Sequence, residues 1–257
     1  MTKSKEVAVK DESNEMSFAT ETPDYVKSGT NLGSEDVGME DMTIPRLSMI
    51  QDLSPQHKKS KDEYIEGAEA GMVFNTVTGQ LFSEALYVVP VYYIKEFVIW
   101  KDQNKGGGFR GAFHTELEAE QERATLDDAS DCEVVDTAQH YVLVVSKKNG
   151  EWKTEQAVIS MSKSQMKVNR AWNSQIRLAG GDRFSHVYSL SVITDQNAAG
   201  QEYYNWKVKG AGYAPKTVYD EALEMYHQIK NGEKTVNRED KSEAKGSGLT
   251  DSDLDNM

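Results

Sequence analysis

The sequence contains a single cysteine, Cys132, among 257 residues. One cysteine excludes an intramolecular disulfide and any metal site built from several cysteines, and it fits a reducing compartment. Cys132 lies among acidic residues, which disfavour its thiolate, so no reactive role is expected. The chain also lacks the ~18 to 20 apolar residues in a row that a membrane span requires, and its N-terminus lacks the apolar stretch of a signal peptide. These absences predict a cytoplasmic protein without a membrane partner.

Patterns that indicate catalysis or metal binding are also missing. The five histidines show no HxxxH or HxH spacing, and no GxSxG motif is present, so neither a metal site nor a nucleophilic serine is expected. The segment 210–217 (GAGYAPKT) resembles a phosphate loop, but Pro215 replaces the required glycine and removes an N–H group that would hold phosphate. The sequence therefore predicts a strand-to-helix turn there, no cofactor and no enzymatic activity.

Negative charge is abundant but unevenly distributed. The chain has 29 Lys and Arg against 42 Asp and Glu, a formal charge of −13. Residues 1–43, 116–136 and 231–257 carry −6, −8 and −3, so the remaining residues sum to +4. An acidic average would argue against nucleic acid as a partner, but the part expected to fold is mildly basic. The acids of 116–136 are expected to repel one another in a solvated excursion between strands.

Strand patterns dominate the middle of the chain. Residues 1–43 are polar without a hydrophobic period and are expected to be disordered; a single domain is predicted at 44–232 and a flexible acidic tail at 233–257. Segments rich in Val, Ile, Tyr, Phe and Trp and bounded by Gly, Asn and Asp predict about six strands. They are residues 72–79, 86–101, 140–148, 151–161, 186–195 and 202–210.

Turn residues refine the strand prediction. Pro90 cannot donate a ladder hydrogen bond, so the long strand around it is expected to contain a bulge or to run along an edge. The Asn149-Gly150 pair predicts a tight hairpin. A second, looser hairpin is expected around residues 196–201.

Two helices and a third, polar candidate are expected. Residues 161–178, with Ser162 as N-cap, place apolar residues on one face and cations on the other. Residues 217–230 begin with Thr217 as N-cap, and 115–123 is polar nearly all round. Six strands with one interrupting helix favour a mainly β fold with a few helices, an OB-fold-like antiparallel barrel that is closed or nearly closed. A β-sandwich is the alternative.

The basic and aromatic residues of the chain point to nucleic-acid binding. Single-stranded nucleic acid is held by cations that track phosphates and by aromatic rings on which bases stack. The alternatives are core positions for the strand aromatics, a surface loop for Phe109 and Arg110, and a solvated face for the helix cations. The predicted nucleic-acid-binding residues are Tyr92, Lys95, Trp100, Lys101, Lys105, Phe109, Arg110, Lys163, Lys167, Arg170, Arg177, Arg183, Trp206 and Lys207.

The C-terminal residues 246–257 (GSGLTDSDLDNM) combine a Gly/Ser linker with acids and sparse apolar residues. Such a segment cannot pack by itself. It is expected to occupy a cationic groove when nucleic acid is absent and to dock on partner proteins when nucleic acid displaces it. The predicted partner-binding residues are Asp251, Asp253, Leu254, Asp255 and Met257.

This organisation resembles the single-stranded DNA-binding proteins of tailed bacteriophages, and the segments IPRLSMIQ, MVFNTVTGQ, FSHVYSLS and NWKVK are similar to a group of phage early proteins. The resemblance implies an OB-fold that coats single-stranded DNA in replication or recombination, with little sequence preference, in the host cytoplasm. It also implies DNA polymerase, helicase or recombination proteins as tail partners. Self-association and the choice between DNA and RNA stay open. Such tails usually end in an aromatic residue, whereas Met257 ends this one.

Two other functions stay open at this point. A double-stranded DNA-binding regulator would insert the 161–178 helix into a groove, and its binding would be insensitive to strandedness. A protein-interaction or virion-associated module would use its acidic segments to mimic DNA.

Overall fold

The computed structural model describes residues 32–34, 44–197 and 200–231. The chain divides into two units, residues 1–37 and 38–257. Of the first unit only a turn at 32–34 is described. The predicted disorder of the other residues in 1–43 and the predicted tail at 233–257 lie outside the described residues.

The described part of the second unit contains nine strands and three helices. The strands are β1 (Leu47–Met49), β2 (Val73–Asn75), β3 (Leu81–Phe82), β4 (Leu86–Lys101), β5 (Gly108–Phe113), β6 (Cys132–Lys148), β7 (Glu151–Ser162), β8 (His186–Gln196) and β9 (Glu202–Tyr213). The helices are α1 (Glu116–Arg123), α2 (Met166–Ala179) and α3 (Lys216–Lys230). All six predicted strand segments contain a strand, and each predicted helix is present.

The strands form two antiparallel sheets. The smaller has the order β1-β2-β3, and the larger has the order β7-β6-β4-β8-β9. β4 pairs with β6 along nearly its whole length. On its other side, the first residues of β4 pair with β8 and the last residues pair with β5. The ladder between β4 and β6 shifts register between Pro90 and Tyr92, which confirms the predicted bulge.

The predicted hairpins are also confirmed. β6 and β7 pair up to Lys148 and Glu151, and the two residues between them have φ angles of 52° (Asn149) and 86° (Gly150). This left-handed backbone is what a two-residue hairpin turn requires, and asparagine and glycine adopt it most easily. The second predicted hairpin joins β8 to β9.

The segment 46–51 contacts both ends of the larger sheet. β7 and β9 are the strands at these opposite ends. Arg46 forms a parallel bridge with Val158 of β7, and the side chain of Gln51 exchanges two hydrogen bonds of 2.9 Å with the backbone of Tyr204 in β9. The mainly antiparallel β architecture is therefore confirmed, with an open ladder whose two edges are joined by this segment.

Two apolar clusters lie on opposite faces of the larger sheet, because successive strand residues point to opposite sides. Val88 belongs to the cluster that the small sheet and α2 cover, and Val89 belongs to the cluster that α3 covers. Trp172 of α2 is completely buried in the first cluster, and Met225 of α3 is buried in the second. Burying a side chain of this size is worth ~1.5 to 3 kcal/mol.

Both predicted N-caps of the longer helices are wrong. β7 continues through Ser162, which pairs with Thr137, so sheet pairing extends past the expected helix start. A 3-10 turn follows, and α2 begins only at Met166. α3 begins at Lys216 after Pro215, directly beyond β9, which confirms the strand-to-helix turn in the phosphate-loop-like segment.

The polar helix α1 is ordered by local bonds and one buried residue. Thr115 and Glu118 form a reciprocal capping box, which satisfies two backbone N–H groups at the helix start. Ala119 is buried against Ile99 and Cys132. Among the described helices, none is both long enough and apolar enough to cross a membrane.

Candidate nucleic-acid interface

The predicted cations separate into two regions of the fold. The first, called the β4–β5 patch, consists of Lys95, Lys101, Lys105 and Arg110 with the rings of Trp100 and Phe109. The chain that connects β5 to β6 runs beside it. Lys101 Nζ lies 2.6 Å from Asp128 Oδ2, and Arg110 Nη2 lies 3.0 Å from the same oxygen.

The other two cations of the β4–β5 patch are also paired. Lys95 lies 3.1 Å from Asp136 and Lys105 lies 3.9 Å from Asp131. The expectation that the acids of 116–136 only repel one another is therefore wrong, because four of the patch's cations have acidic partners in or next to this segment. Hydrogen bonds from Lys101 and then from Arg110 lower the pKa of Asp128 to about 2.

The aromatic rings of the patch contact each other. Phe109 and Trp100 are half-buried, and their ring centroids lie 5.7 Å apart in an edge-to-face arrangement. Phe109 and Arg110 lie on the paired strand β5 instead of a surface loop, since the left-handed turn at residues 106–108 ends where pairing with β4 begins. Phe109 thus has a structural partner within the fold.

Two further predicted aromatic contacts are corrected by their burial. Trp206 is only 2% exposed and packs in the cluster beneath α2, so its indole cannot stack on a base in this conformation. Tyr92 is half-buried between Tyr141 and Tyr226, at centroid distances of 6.2 and 5.9 Å. Trp206 and Tyr92 therefore pack within the fold, which was the alternative to base stacking for the strand aromatics.

Cys132 is buried beside the same patch. Burial, and secondarily the charge of Asp128, raises the pKa of its thiol. The expectation of a disfavoured thiolate is confirmed.

The second region is on α2. Lys167, Arg170 and Arg177, here called the α2 face, are exposed and form no ion pair with any described residue. Residues three and seven positions apart lie on one side of a helix, so the three cations form a row. Lys163, predicted to belong to this row, precedes the helix and pairs with Glu133 at 2.7 Å, with its side chain 16% exposed.

Strand β9 packs against α2, and its Trp206 lies in the cluster beneath that helix. Its Lys207 and Lys209 are exposed without an ion pair among the described residues, and they point to the opposite face of the strand, away from α2. The sequence placed Lys207 with Trp206, but the alternation of the strand separates them: the indole is buried while the lysine faces solvent.

Arg183 lies in a short turn before β8 and reaches back to α2 and β6. Its Nη1 donates to Asn173 Oδ1 at 3.0 Å, and its Nη2 lies 2.9 Å from His140 Nδ1. The guanidinium also lies over the ring of Tyr93, 5.2 Å from its centroid. His140 stacks on Trp172 with centroids 4.4 Å apart.

Burial changes the ionisation of this pair. It lowers the pKa of His140 to about 3, with the charge of Arg183 acting in the same direction. Burial also lowers the pKa of Arg183 to about 10. At neutral pH the histidine is therefore neutral and the arginine is charged, and the pair presents one positive charge at the border of the core.

One exposed aromatic residue was missed by sequence reasoning. Tyr213, at the end of β9, is 79% exposed and its ring lies 4.4 Å from that of His186. The backbone of the next residue, Ala214, bonds to Ser185 at 2.9 Å, which places Tyr213 beside the turn that holds Arg183. The available signal is an aromatic residue among the glycines of GAGY, a segment for which the sequence predicts only a strand-to-helix turn.

Two site predictions remain, one on metal binding and one on the C-terminal tail. Within the described ranges, no three His, Cys, Asp or Glu residues gather closely enough to hold a metal ion. The tail residues Asp251, Asp253, Leu254, Asp255 and Met257 lie outside the described residues.

Comparison with known proteins gives one family. A family model described as the Pam3 phage gp34-like protein matches residues 12–235. Neither the curated proteins nor the solved structures yield a match to the chain.

Proposed function

Because the chain belongs to the Pam3 phage gp34-like family and is thus a phage protein, we propose that it is a non-enzymatic protein that binds single-stranded DNA in phage replication or recombination. It coats the strand with little sequence preference in the host cytoplasm. Phosphates are bound on the α2 side of the sheet, and the β4–β5 patch has a structural role.

The observation that carries this proposal is the unpaired α2 face. In a chain of net charge −13, nearby acids pair with the four cations of the β4–β5 patch and with Lys163. The three exposed cations of the α2 face form no ion pair with a described residue, although Asp195 interacts electrostatically with Lys167. Cations that track a phosphate backbone supply most of the sequence-independent affinity for nucleic acid.

Tyr213 supports the preference for single strands. Bases of a single strand are free to stack on an exposed ring, and such stacking is worth ~1 to 3 kcal/mol per base. In a duplex the bases are already stacked on each other. An exposed tyrosine beside the Arg183 turn therefore favours an unpaired strand over a duplex.

Partner recruitment is the second part of the proposal. The acidic C-terminal residues, rich in Asp with Leu254 between two aspartates and Met257 after the last one, dock on a DNA polymerase, a helicase or recombination proteins. When no DNA is bound, the same acids compete for the α2 face.

The test measures fluorescence anisotropy of labelled oligo-dT and of a duplex of equal length over a range of salt concentrations. About four to six phosphate contacts give a slope of log K against log[salt] near −3 to −4, at ~0.7 per contact on single strands. Replacing Lys167, Arg170 and Arg177 by Gln is expected to make that slope shallower by ~2 and to weaken oligo-dT binding at low salt.

A charge-matched control replaces Lys147, Lys148 and Lys153 of the β6–β7 hairpin by Gln. Lys147 of that hairpin lies over the exposed ring of Trp152, and Lys153 pairs with Glu151. An equal loss in the control would therefore show either that overall charge matters or that the hairpin also binds, and it would contradict the α2 face as the specific site. Equal or tighter binding to the duplex would favour the double-stranded regulator. Absence of binding to either DNA would contradict the proposal and leave the protein-interaction module.

A further inference from the structure

Arg183 takes part in a closed ring of hydrogen bonds with three neutral side chains. It donates to His140 and to Asn173, and both of these reach Asn169 Oδ1 at 2.9 Å. Because Arg183 donates to His140 Nδ1, the histidine proton lies on Nε2 and points to Asn169. Because Nη1 and Nη2 are each held by one hydrogen bond, the ring fixes the orientation of the guanidinium plane.

The guanidinium has no carboxylate partner in the described part of the chain. The acid next to it in sequence, Asp182, accepts a hydrogen bond from Tyr219 at 2.5 Å instead. Buried charges in proteins are usually paired, because an unpaired one loses its hydration without compensation. Nε of Arg183 is buried without an acceptor and is not reachable by a ligand. The fold thus holds a positive charge whose second N–H groups on Nη1 and Nη2 are not used by the ring.

The ring lies next to the exposed cations. Asn173 comes three residues after Arg170 and four before Arg177, so the three side chains are neighbours on one stretch of α2. Arg183 is bonded to Asn173, so the ring meets α2 on the stretch of helix that lies between the two exposed arginines in sequence. Arg183 as a whole is half-buried, which puts the side chain where the core meets solvent.

We propose that Arg183 is the anchor of a pre-organised oxyanion site that takes one phosphate group, with His140 and Asn173 as positioning residues. The site rests on the proposed function in one respect, since it assigns the backbone of single-stranded DNA as the source of that phosphate. Arginine suits the role because its rigid fork of donors matches phosphate geometry, while two of its N–H groups stay in the ring.

The experiment titrates inorganic phosphate into the full chain and follows the arginine Nε–Hε signals by NMR. The Nε–Hε signal of Arg183 is expected to change position and to saturate, because a phosphate bound at the Nη groups alters the electronic environment of the same guanidinium. Phosphate is also expected to raise the thermal midpoint, because a ligand that binds only the folded state stabilises it. Asn173→Ala removes one positioning bond and is expected to weaken phosphate binding about tenfold, the effect of ~1.4 kcal/mol.

Arg183→Lys keeps the charge but loses the fork, and it is expected to lose the saturable phosphate effect. Lys148→Gln is the control, since it removes one exposed positive charge on the β6–β7 hairpin, outside both the ring and the α2 face. A loss with Lys148→Gln as large as with Asn173→Ala would indicate diffuse attraction and would overturn the site. An unshifted Arg183 signal at saturating phosphate would overturn it as well.

A parallel titration with oligo-dT separates the site from the function. A phosphate-dependent Arg183 shift without oligo-dT binding would support the site and contradict single-stranded DNA binding. Oligo-dT binding with no Arg183 shift in either titration would support the function and overturn the site.

Discussion

The β4–β5 patch and the α2 face contain the same kinds of side chain but differ in what surrounds them. In the patch, Lys101 and Arg110 share Asp128, and each of the other two cations has its own acid. On α2, three cations are exposed without an ion pair among the described residues, and Arg183 is held by neutral groups. The positive charge of a sequence segment is therefore not the charge that a ligand encounters.

The difference follows from connectivity. The acidic excursion between β5 and β6 has to cross the end of β4, so its carboxylates meet the cations that are nearby in space. α2 follows β7 through a short turn and has no acid within its own length. Exposed ion pairs contribute little to stability, but here they decide which cations are free to bind.

The largest expected contrast between the regions is their response to acid. The pKa of His140 is lowered to about 3 from 6.5, so the unfolded chain binds a proton that the folded chain does not. The stability from this group is complete above pH 6.5 and is lost as the pH falls towards 3, at about 1.4 kcal/mol per pH unit. Urea unfolding of the wild type and of His140→Gln between pH 7 and pH 4 measures the slope. A variant with the same slope as the wild type would show that His140 does not cause it.

The β4–β5 patch is expected to lose its contribution to stability in a lower pH range. The pKa of Asp128 is lowered to about 2 from 3.8, so its contribution is complete above pH 3.8 and is lost as the pH falls through about 2. The two regions are thus expected to lose stability in different pH ranges.

Aromatic substitutions give the next largest contrast. Tyr213→Ala removes an exposed ring and is expected to weaken oligo-dT binding by ~1 to 3 kcal/mol. Phe109→Ala breaks the edge-to-face pair with Trp100, so it is expected to lower the free energy of unfolding by ~0.5 to 1.5 kcal/mol and to leave oligo-dT affinity nearly unchanged. Binding and denaturation of both variants test this. If Phe109→Ala weakened oligo-dT binding and Tyr213→Ala did not, the stacking surface would lie on the β4–β5 patch.

The smallest expected effect comes from releasing the cations of the patch. Asp128→Asn frees Lys101 and Arg110 and is expected to lower the thermal midpoint while steepening the salt slope of oligo-dT binding by at most ~1.4, at ~0.7 per cation. Asp127→Asn makes the same charge change at an exposed neighbour without an ion pair among the described residues, and it is the control. Equal slopes in the two variants would show that the freed cations do not reach the DNA path.

Local patterns accounted for most of the fold. Alternating β-branched and aromatic residues located the strands, Asn149-Gly150 determined a hairpin, and Pro90 marked the bulge, because each of these effects acts within a few residues along the chain. Helix starts were less accurate. Ser162 has the chemistry of an N-cap, but pairing with Thr137 across the sheet keeps it extended, and that partner is 25 residues away.

The candidate site was predictable only in its residue types. The sequence by itself determined a mainly β chain with clustered cations, and it located the row of cations on α2, since helical spacing is a local property. Only the tertiary structure decided that Trp206 is buried, that Asp128 neutralises Lys101 and Arg110, and that Arg183 bonds to His140. These outcomes depend on contacts between residues far apart in sequence, and the strand order and register of the sheet create those contacts.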